Sequence, residues 1–213
     1  RRPSGCWECP VGDGPQARGE IEALLVDHGH RPNKQYGQHF LTDPNIVRRI
    51  VEVAGVEGGK VIEVGAGTGT LTLALASTAR RVVSYEIYTG LVPILTETLA
   101  AVPNVDIRIG DVTSLDLAAE LGSGPWTMVA NLPYNVGTGI VLDTLTGVPA
   151  VERFVVMVQT EVAERLVAGP GSRTYGIPSV IVGLHGTAAI ALTVPPQVFE
   201  PRPRVGSSVG VID

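Results

Sequence analysis

The chain has 213 residues, 44% of them apolar and 17% charged, with 26 Gly, 16 Pro, a mean hydropathy of +0.24 and a net charge of −5. A chain of this length and balance folds into about one to one and a half domains with a sizeable core, which excludes collagen, coiled coil and disorder throughout. No run of about eighteen uncharged apolar residues occurs, so no membrane span is expected, and the opening RRPSGCWECPVGDG lacks the apolar centre of a signal peptide.

The two cysteines cannot form a disulfide framework, and a reducing, cytoplasmic compartment is expected. Cys6 and Cys9 make one C-x-x-C, but no second Cys pair and no H-x3-5-H follows, so no metal site is expected. The net charge is unevenly spread. Residues 1–49 carry 7 basic and 6 acidic groups, residues 50–152 carry 4 and 11, and residues 153–213 carry 5 and 4. An acidic centre between mildly basic ends suits a cationic or neutral cofactor in the middle and an anionic partner at the flanks.

Residues 1–18, rich in Gly, Pro and polar groups, read as a flexible lead-in, and residues 19–213 as the folded domain. Ile21, Leu24 and Leu25 suit a short helix. Thr42-Asp43-Pro44 is a cap with proline at the first helical position, opening a helix that ends at Gly55. KVIEV (60–64) is a short apolar run of the kind found in buried parallel strands. A glycine turn, the helix TLTLALAS, the strand RVVSYE and a helix near 91–100 follow. Further strands are expected near 105–109, 127–130 and 154–158. This alternation predicts an α/β fold with a mostly parallel sheet flanked by helices. AAIALTV and VGSSVGVID, separated by a proline-rich bend, are expected to close the sheet as an antiparallel, hairpin-like pair.

The stretch Glu63-Val64-Gly65-Ala66-Gly67-Thr68-Gly69 lies between a predicted strand and a predicted helix, where glycines let the backbone turn tightly against a ligand. A dinucleotide-binding loop wants its third glycine at position 70, which is Thr70, and a phosphate-cradling loop wants G-K-[ST], which is absent. The E-x-G-x-G-x-G form suits S-adenosylmethionine, which has no pyrophosphate for a helix terminus to hold. Glu86, at the end of the next strand, can accept from both ribose hydroxyls. Asp111, in IGDV, can accept from the exocyclic amine of the cofactor's adenine. Together with Glu63, these carboxylates are expected to face a sulfonium cofactor.

Asn131-Leu132-Pro133-Tyr134 follows the strand TMVA. The lone pair of an exocyclic aromatic amine is delocalised into its ring, which makes it a poor nucleophile. Two acceptors holding its N–H bonds favour a pyramidal nitrogen aimed at a methyl donor. The Asn131 side chain and the carbonyl of Leu132 or Pro133 can supply them, Pro133 stiffens the loop, and Tyr134 offers a stacking face for an extruded base.

YGQHFL (36–41), EVGAGTGTLT (63–72), Glu86, GDV (110–112), NLPYN (131–135), MVQTEVAERLVAGPGSRTYGIPSV (157–180) and VFEPRPRV (198–205) occur together and in order. With these segments the chain resembles the KsgA-type ribosomal RNA adenine N6,N6-dimethyltransferases over residues 31–213. The resemblance implies a Rossmann-like class I methyltransferase domain with a seven-stranded sheet and S-adenosylmethionine as cofactor. It implies that His39, Leu41, Gly65, Gly67, Glu86, Asp111, Val112 and Asn131 line the cofactor. It also implies that Tyr134 and Phe199 sandwich the target base beside Asn131, Leu132 and Pro133. The family dimethylates two adjacent adenosines near the 3′ end of small-subunit rRNA within an assembling ribosomal subunit, and a monomer is expected.

The chain departs from the family pattern at three positions. His39 stands where many members have Asn, Tyr88 where an acidic residue is frequent, and Gly206 where Asp is common. Relatives continue beyond the equivalent of Asp213 into a smaller helical domain that helps grip RNA, so cofactor binding is expected of this chain, together with weak, salt-sensitive RNA binding. Arg173, in the GPGSRTYG loop, is a candidate phosphate contact. Four other readings compete: a macrolide-resistance 23S rRNA methyltransferase, a mitochondrial transcription factor of the same lineage, a small-molecule methyltransferase, and a non-catalytic ribosome assembly factor.

Overall fold

The computed structural model describes residues 15–213, and Cys6 and Cys9 lie outside them. Helix α1 (Arg18–Asp27) buries Ile21 and Leu25, one helical turn apart. The segment at its start is tied down: Gln16 Oε1 accepts from the Thr70 hydroxyl at 2.8 Å, and Arg18 pairs with Glu200 at 2.7 Å. A two-residue strand β1 (Phe40–Leu41) precedes α2 (Pro44–Ala54). As its sequence predicts, α2 opens on the Asp43 carboxylate, which accepts from the N–H groups of Asn45 and Ile46, and it stops at Gly55 in the left-handed region.

Strand β2 (Lys60–Val64), α3 (Thr70–Ala76), β3 (Arg81–Glu86), α4 (Val92–Thr98), β4 (Val105–Ile109) and α5 (Leu117–Leu121) come next. They are followed by β5 (Trp126–Asn131), α6 (Gly137–Gly147), β6 (Val151–Gln159), α7 (Thr160–Leu166) and α8 (Ile177–His185). The chain closes with β7 (Ala188–Val194), the two-residue β8 (Phe199–Glu200) and β9 (Ser207–Ile212). Seven strands form one sheet in the order β4-β3-β2-β5-β6-β9-β7. The first five are parallel, and β9 runs antiparallel to both its neighbours. The last two long strands are thus antiparallel neighbours, as expected. They are no tight hairpin, however, because β9 inserts between β6 and β7 and the connection detours through β8 to pair with β1.

Helices cover both faces, so the central strands are apolar on both sides. On β2, Ile62 and Val64 face the core under α5 and α6, while Val61 faces α2 and α3. The strand order reverses between β2 and β5, and ligands of such sheets bind outside the carboxyl ends of the strands at that reversal. The segments leaving β2, β3, β4 and β5 carry Gly65, Glu86, Asp111 and Asn131.

Candidate active site

Those four segments and the Tyr36–Phe40 stretch enclose an open, concave cleft of the kind that holds small ligands. Gly65 and Gly67 sit at φ +86° and +59°, a region that side chains with a Cβ rarely occupy. A Cβ on Gly67 would make only an ordinary contact with the Phe40 ring, at 3.4 Å, so it is the backbone conformation that calls for glycine in this cradle.

Glu86 organises the cradle. Its Oε2 accepts from the Gly67 N–H and its Oε1 from the Tyr88 N–H, each at 2.9 Å. Each oxygen keeps a lone pair for a ribose hydroxyl. Burial pushes the Glu86 carboxyl above its ordinary range, and these backbone donors pull it partly back. Tyr88, in place of an acidic residue, packs against Tyr36 with ring centroids 4.9 Å apart and against His30 at 5.6 Å. Of these rings Tyr36 lines the cleft, and Tyr88 packs behind it.

Asp111 does two things at once. Its Oδ1 caps the following turn, accepting from the Thr113 N–H at 2.9 Å and the Thr113 hydroxyl at 2.7 Å, while Oδ2 has no protein donor among the described residues. Val112 lines the cleft beside it.

Asn131 ends β5. Its Nδ2 donates to the His39 carbonyl at 3.2 Å, which orients the amide and leaves Oδ1 without a protein donor among the described residues. Of the two carbonyls that follow, that of Pro133 is engaged, accepting from Gly137 at 2.9 Å and Val136 at 3.3 Å to start α6. The Leu132 carbonyl accepts no backbone N–H of the described residues. Asn131 Oδ1 and Leu132 O are therefore the two acceptors at the end of β5 left without a backbone donor among the described residues. Tyr134 lines the cleft, its hydroxyl 2.7 Å from the Ser207 hydroxyl and its ring stacked on His39 at 5.6 Å and 25°. Burial raises its phenol above the ordinary value, with the Ser207 bond opposing.

Three expected residues sit elsewhere. Phe199 is 1% exposed and packs in the core under α2, and its backbone pairs with Leu41, which is buried in the same cluster. Neither lines the cleft, and the ring facing Tyr134 is that of His39. Glu63 does not face the cleft either. Side chains alternate along a strand, so Glu63 shares the Val61 face, toward α3, and lies opposite Ser84 on β3. There its Oε2 accepts from the Thr72 hydroxyl at 2.6 Å and the Ser84 hydroxyl at 2.5 Å, while Oε1 is buried with no partner. Burial pushes this carboxyl up to about 7. The sequence reading missed Ser207, whose only signal was its place in GSSV, and the contribution of Tyr36, Val136 and Ile140 to the cleft wall.

Among the described residues no cluster of three or more His, Cys, Asp or Glu is placed to hold a metal, and no helix is long and apolar enough to cross a membrane. The donor set fits S-adenosylmethionine: a glycine cradle, a carboxylate with two free lone pairs at the end of β3, and another with a free oxygen after β4.

Comparisons with known proteins agree with this geometry. The chain is 47% identical over 195 residues to ribosomal RNA small subunit methyltransferase A of Nocardia farcinica, covering 89% of this chain and 67% of that one. It is 42% identical to the protein of the same name in Geobacillus thermodenitrificans, covering 90% and 67%. It thus spans about two thirds of the length of these relatives. A dimethyladenosine transferase structure from Plasmodium falciparum superposes with a TM-score of 0.72 at 25% identity, covering 82% of this chain and 62% of that one. The structure of the 23S rRNA methyltransferase ErmE does so with a TM-score of 0.70 at 29% identity, covering 81% and 68%. Residues 29–213 match the family described as ribosomal RNA adenine dimethylase. On its glycine cradle, its two strand-end carboxylates and this match, the chain belongs to the ribosomal RNA adenine dimethylase family.

Proposed function

We propose that this chain transfers methyl groups from S-adenosylmethionine to N6 of two adjacent adenosines near the 3′ end of small-subunit rRNA, within an assembling ribosomal subunit. The observation that carries the proposal is the orientation of Asn131 beside Leu132. Two acceptors without backbone donors stand at the carboxyl end of β5, in the same cleft as the Glu86 and Asp111 carboxylates.

The bound cofactor supplies an electrophilic sulfonium methyl group. Glu86 and Asp111 hold the cofactor, by its ribose and its adenine. Asn131 Oδ1 and Leu132 O accept the two N–H bonds of the target amine, which favours a pyramidal nitrogen with its lone pair toward the methyl. Tyr134 holds the extruded base by stacking, at the cost of a few kcal/mol of unstacking from its neighbours. No general base is needed, because the methylated nitrogen is acidic and releases its proton to water. Every group in this scheme comes from one chain.

Both solved relatives have nearly the same fold similarity, so the choice of small-subunit over 23S rRNA rests on sequence. Identity reaches 47% and 42% with the small-subunit methyltransferases and is 29% with the 23S enzyme. Incubating the chain with labelled cofactor and small subunits lacking the modification, then mapping the methylated positions, tests the proposal. Label on adjacent adenosines near the 3′ end of small-subunit rRNA is expected; label confined to 23S rRNA or to protein overturns it.

A further inference from the structure

Tyr134 is anchored at two points, its Cβ and its hydroxyl, which bonds to Ser207. Both points lie on the Cβ–Oη axis, about which the ring still rotates, and that torsion is broad for tyrosine. Neither anchor fixes the plane of the ring, yet the plane is what a stacked base reads. A face contact is needed, and His39 supplies one, at 5.6 Å between centroids with the rings inclined by 25°.

His39 is itself held rigidly. Its Nδ1 lies 2.6 Å from the Pro201 carbonyl. A carbonyl only accepts, so a proton sits on Nδ1 and the ring is fixed in orientation. The same residue's backbone carbonyl accepts the Asn131 amide at 3.2 Å. One residue thus joins three loops: through its ring edge the segment after β8, through its ring face Tyr134, and through its carbonyl Asn131.

We propose that His39 is a positioning residue for methyl transfer, which sets the plane of Tyr134 by stacking on it and thereby the pose of the target base over the Asn131–Leu132 acceptors. The inference rests on the function proposed above. The carbonyl contact survives any side-chain substitution, so His39 variants isolate the ring.

His39→Ala and His39→Phe separate stacking from bulk stability. In steady-state transfer to undermethylated small subunits, His39→Ala is expected to lower kcat by about a hundredfold, the scale of a displacement near 1 Å at a reacting centre. Because His39 also lines the cleft, the Kd of His39→Ala for S-adenosylmethionine, measured by calorimetry, is expected to weaken by less than kcat falls, by no more than about tenfold, roughly 1.4 kcal/mol. His39→Phe keeps a ring face and is expected to recover kcat to within about fivefold of the original. A His39→Phe as poor as His39→Ala overturns the proposal, as does a His39→Ala that loses cofactor affinity rather than kcat, or that loses less than threefold in kcat.

Two readouts need no turnover. Nitrogen NMR of the unaltered chain is expected to show the His39 proton on Nδ1, and a proton on Nε2 alone overturns the tautomer on which the geometry depends. A single-stranded RNA carrying 2-aminopurine is expected to be quenched on binding to the original chain and to His39→Phe, but not to His39→Ala. Equal quenching by all three, or by none, overturns the positioning role. If the original chain leaves small subunits unmethylated while this quenching pattern holds, the proposed function fails, and with it the role of His39 in methyl transfer, while its setting of the Tyr134 plane stands.

Discussion

Glu63→Gln offers a direct test of how the buried end of β2 is built. Glu63 is fully buried, its Oε2 accepts two hydroxyls and its Oε1 has no partner. Desolvation dominates, and it moves the carboxyl from 4.5 to about 7. At about 1.4 kcal/mol per pH unit, this shift corresponds to roughly 3 kcal/mol between the protonated and ionised forms. The folded chain holds the Glu63 proton more tightly than the unfolded chain does. The contribution of this group is therefore fully present below about pH 4.5, falls as pH rises, and is lost above about pH 7. Gln is permanently neutral and keeps an oxygen to accept from Thr72 and Ser84, although its NH2 inherits the unpartnered position and costs a constant amount at every pH. The absolute stability of Glu63→Gln is therefore less informative than its pH dependence. Urea unfolding of both chains from pH 5 to 8 is expected to show Glu63→Gln gaining about 2.5 kcal/mol on the original chain across that range. Glu86, also raised by burial, adds the same sign of slope to both chains, and its repulsion of Glu63 is a minor part of the difference between them. A stability difference that stays constant with pH would mean that Glu63 is ionised throughout, and the reasoning from burial would fail.

Two substitutions separate cofactor binding from amine orientation. Asn131→Ala removes one acceptor and is expected to abolish transfer while leaving the S-adenosylmethionine Kd within about tenfold, roughly 1.4 kcal/mol; equal loss of both, by calorimetry and by turnover, would make Asn131 a cofactor residue. Glu86→Ala removes the proposed ribose acceptors and leaves the Gly67 and Tyr88 N–H groups without their partner, so cofactor affinity is expected to fall by about a hundredfold, near 3 kcal/mol for charged hydrogen bonds, and a loss under threefold in calorimetry would refute the assignment.

The sequence made the sheet legible because its strands are buried on both faces and read as short apolar runs, each followed by a polar or glycine segment at the carboxyl edge. For the same reason Gly65, Glu86, Asp111 and Asn131 were found: the rhythm of the strands put them at one edge. What was illegible depended on direction or on pairing too short to leave a pattern. Strands β1 and β8 are two residues each, too short for any alternation to appear. Their pairing is what buries Leu41 and Phe199 together, away from the cleft.

Glu63 is the more instructive case, because its orientation was available in the sequence. KVIEV alternates, and with Ile62 and Val64 turned toward one core, Glu63 had to turn toward the other. Its membership of the glycine motif points toward the cofactor, against the strand's own period. The local rule was the better guide. The same logic reassigns the partner of Tyr134. Once Phe199 is committed to the core, the ring that faces Tyr134 must come from a segment that crosses the β5 loop, and the Tyr36–Phe40 stretch is the one that does. A Cβ on Gly37 would lie 3.4 Å from Pro133, and the His39 carbonyl holds Asn131. The departure from the family's asparagine at position 39 therefore falls where a side-chain ring stacks on Tyr134.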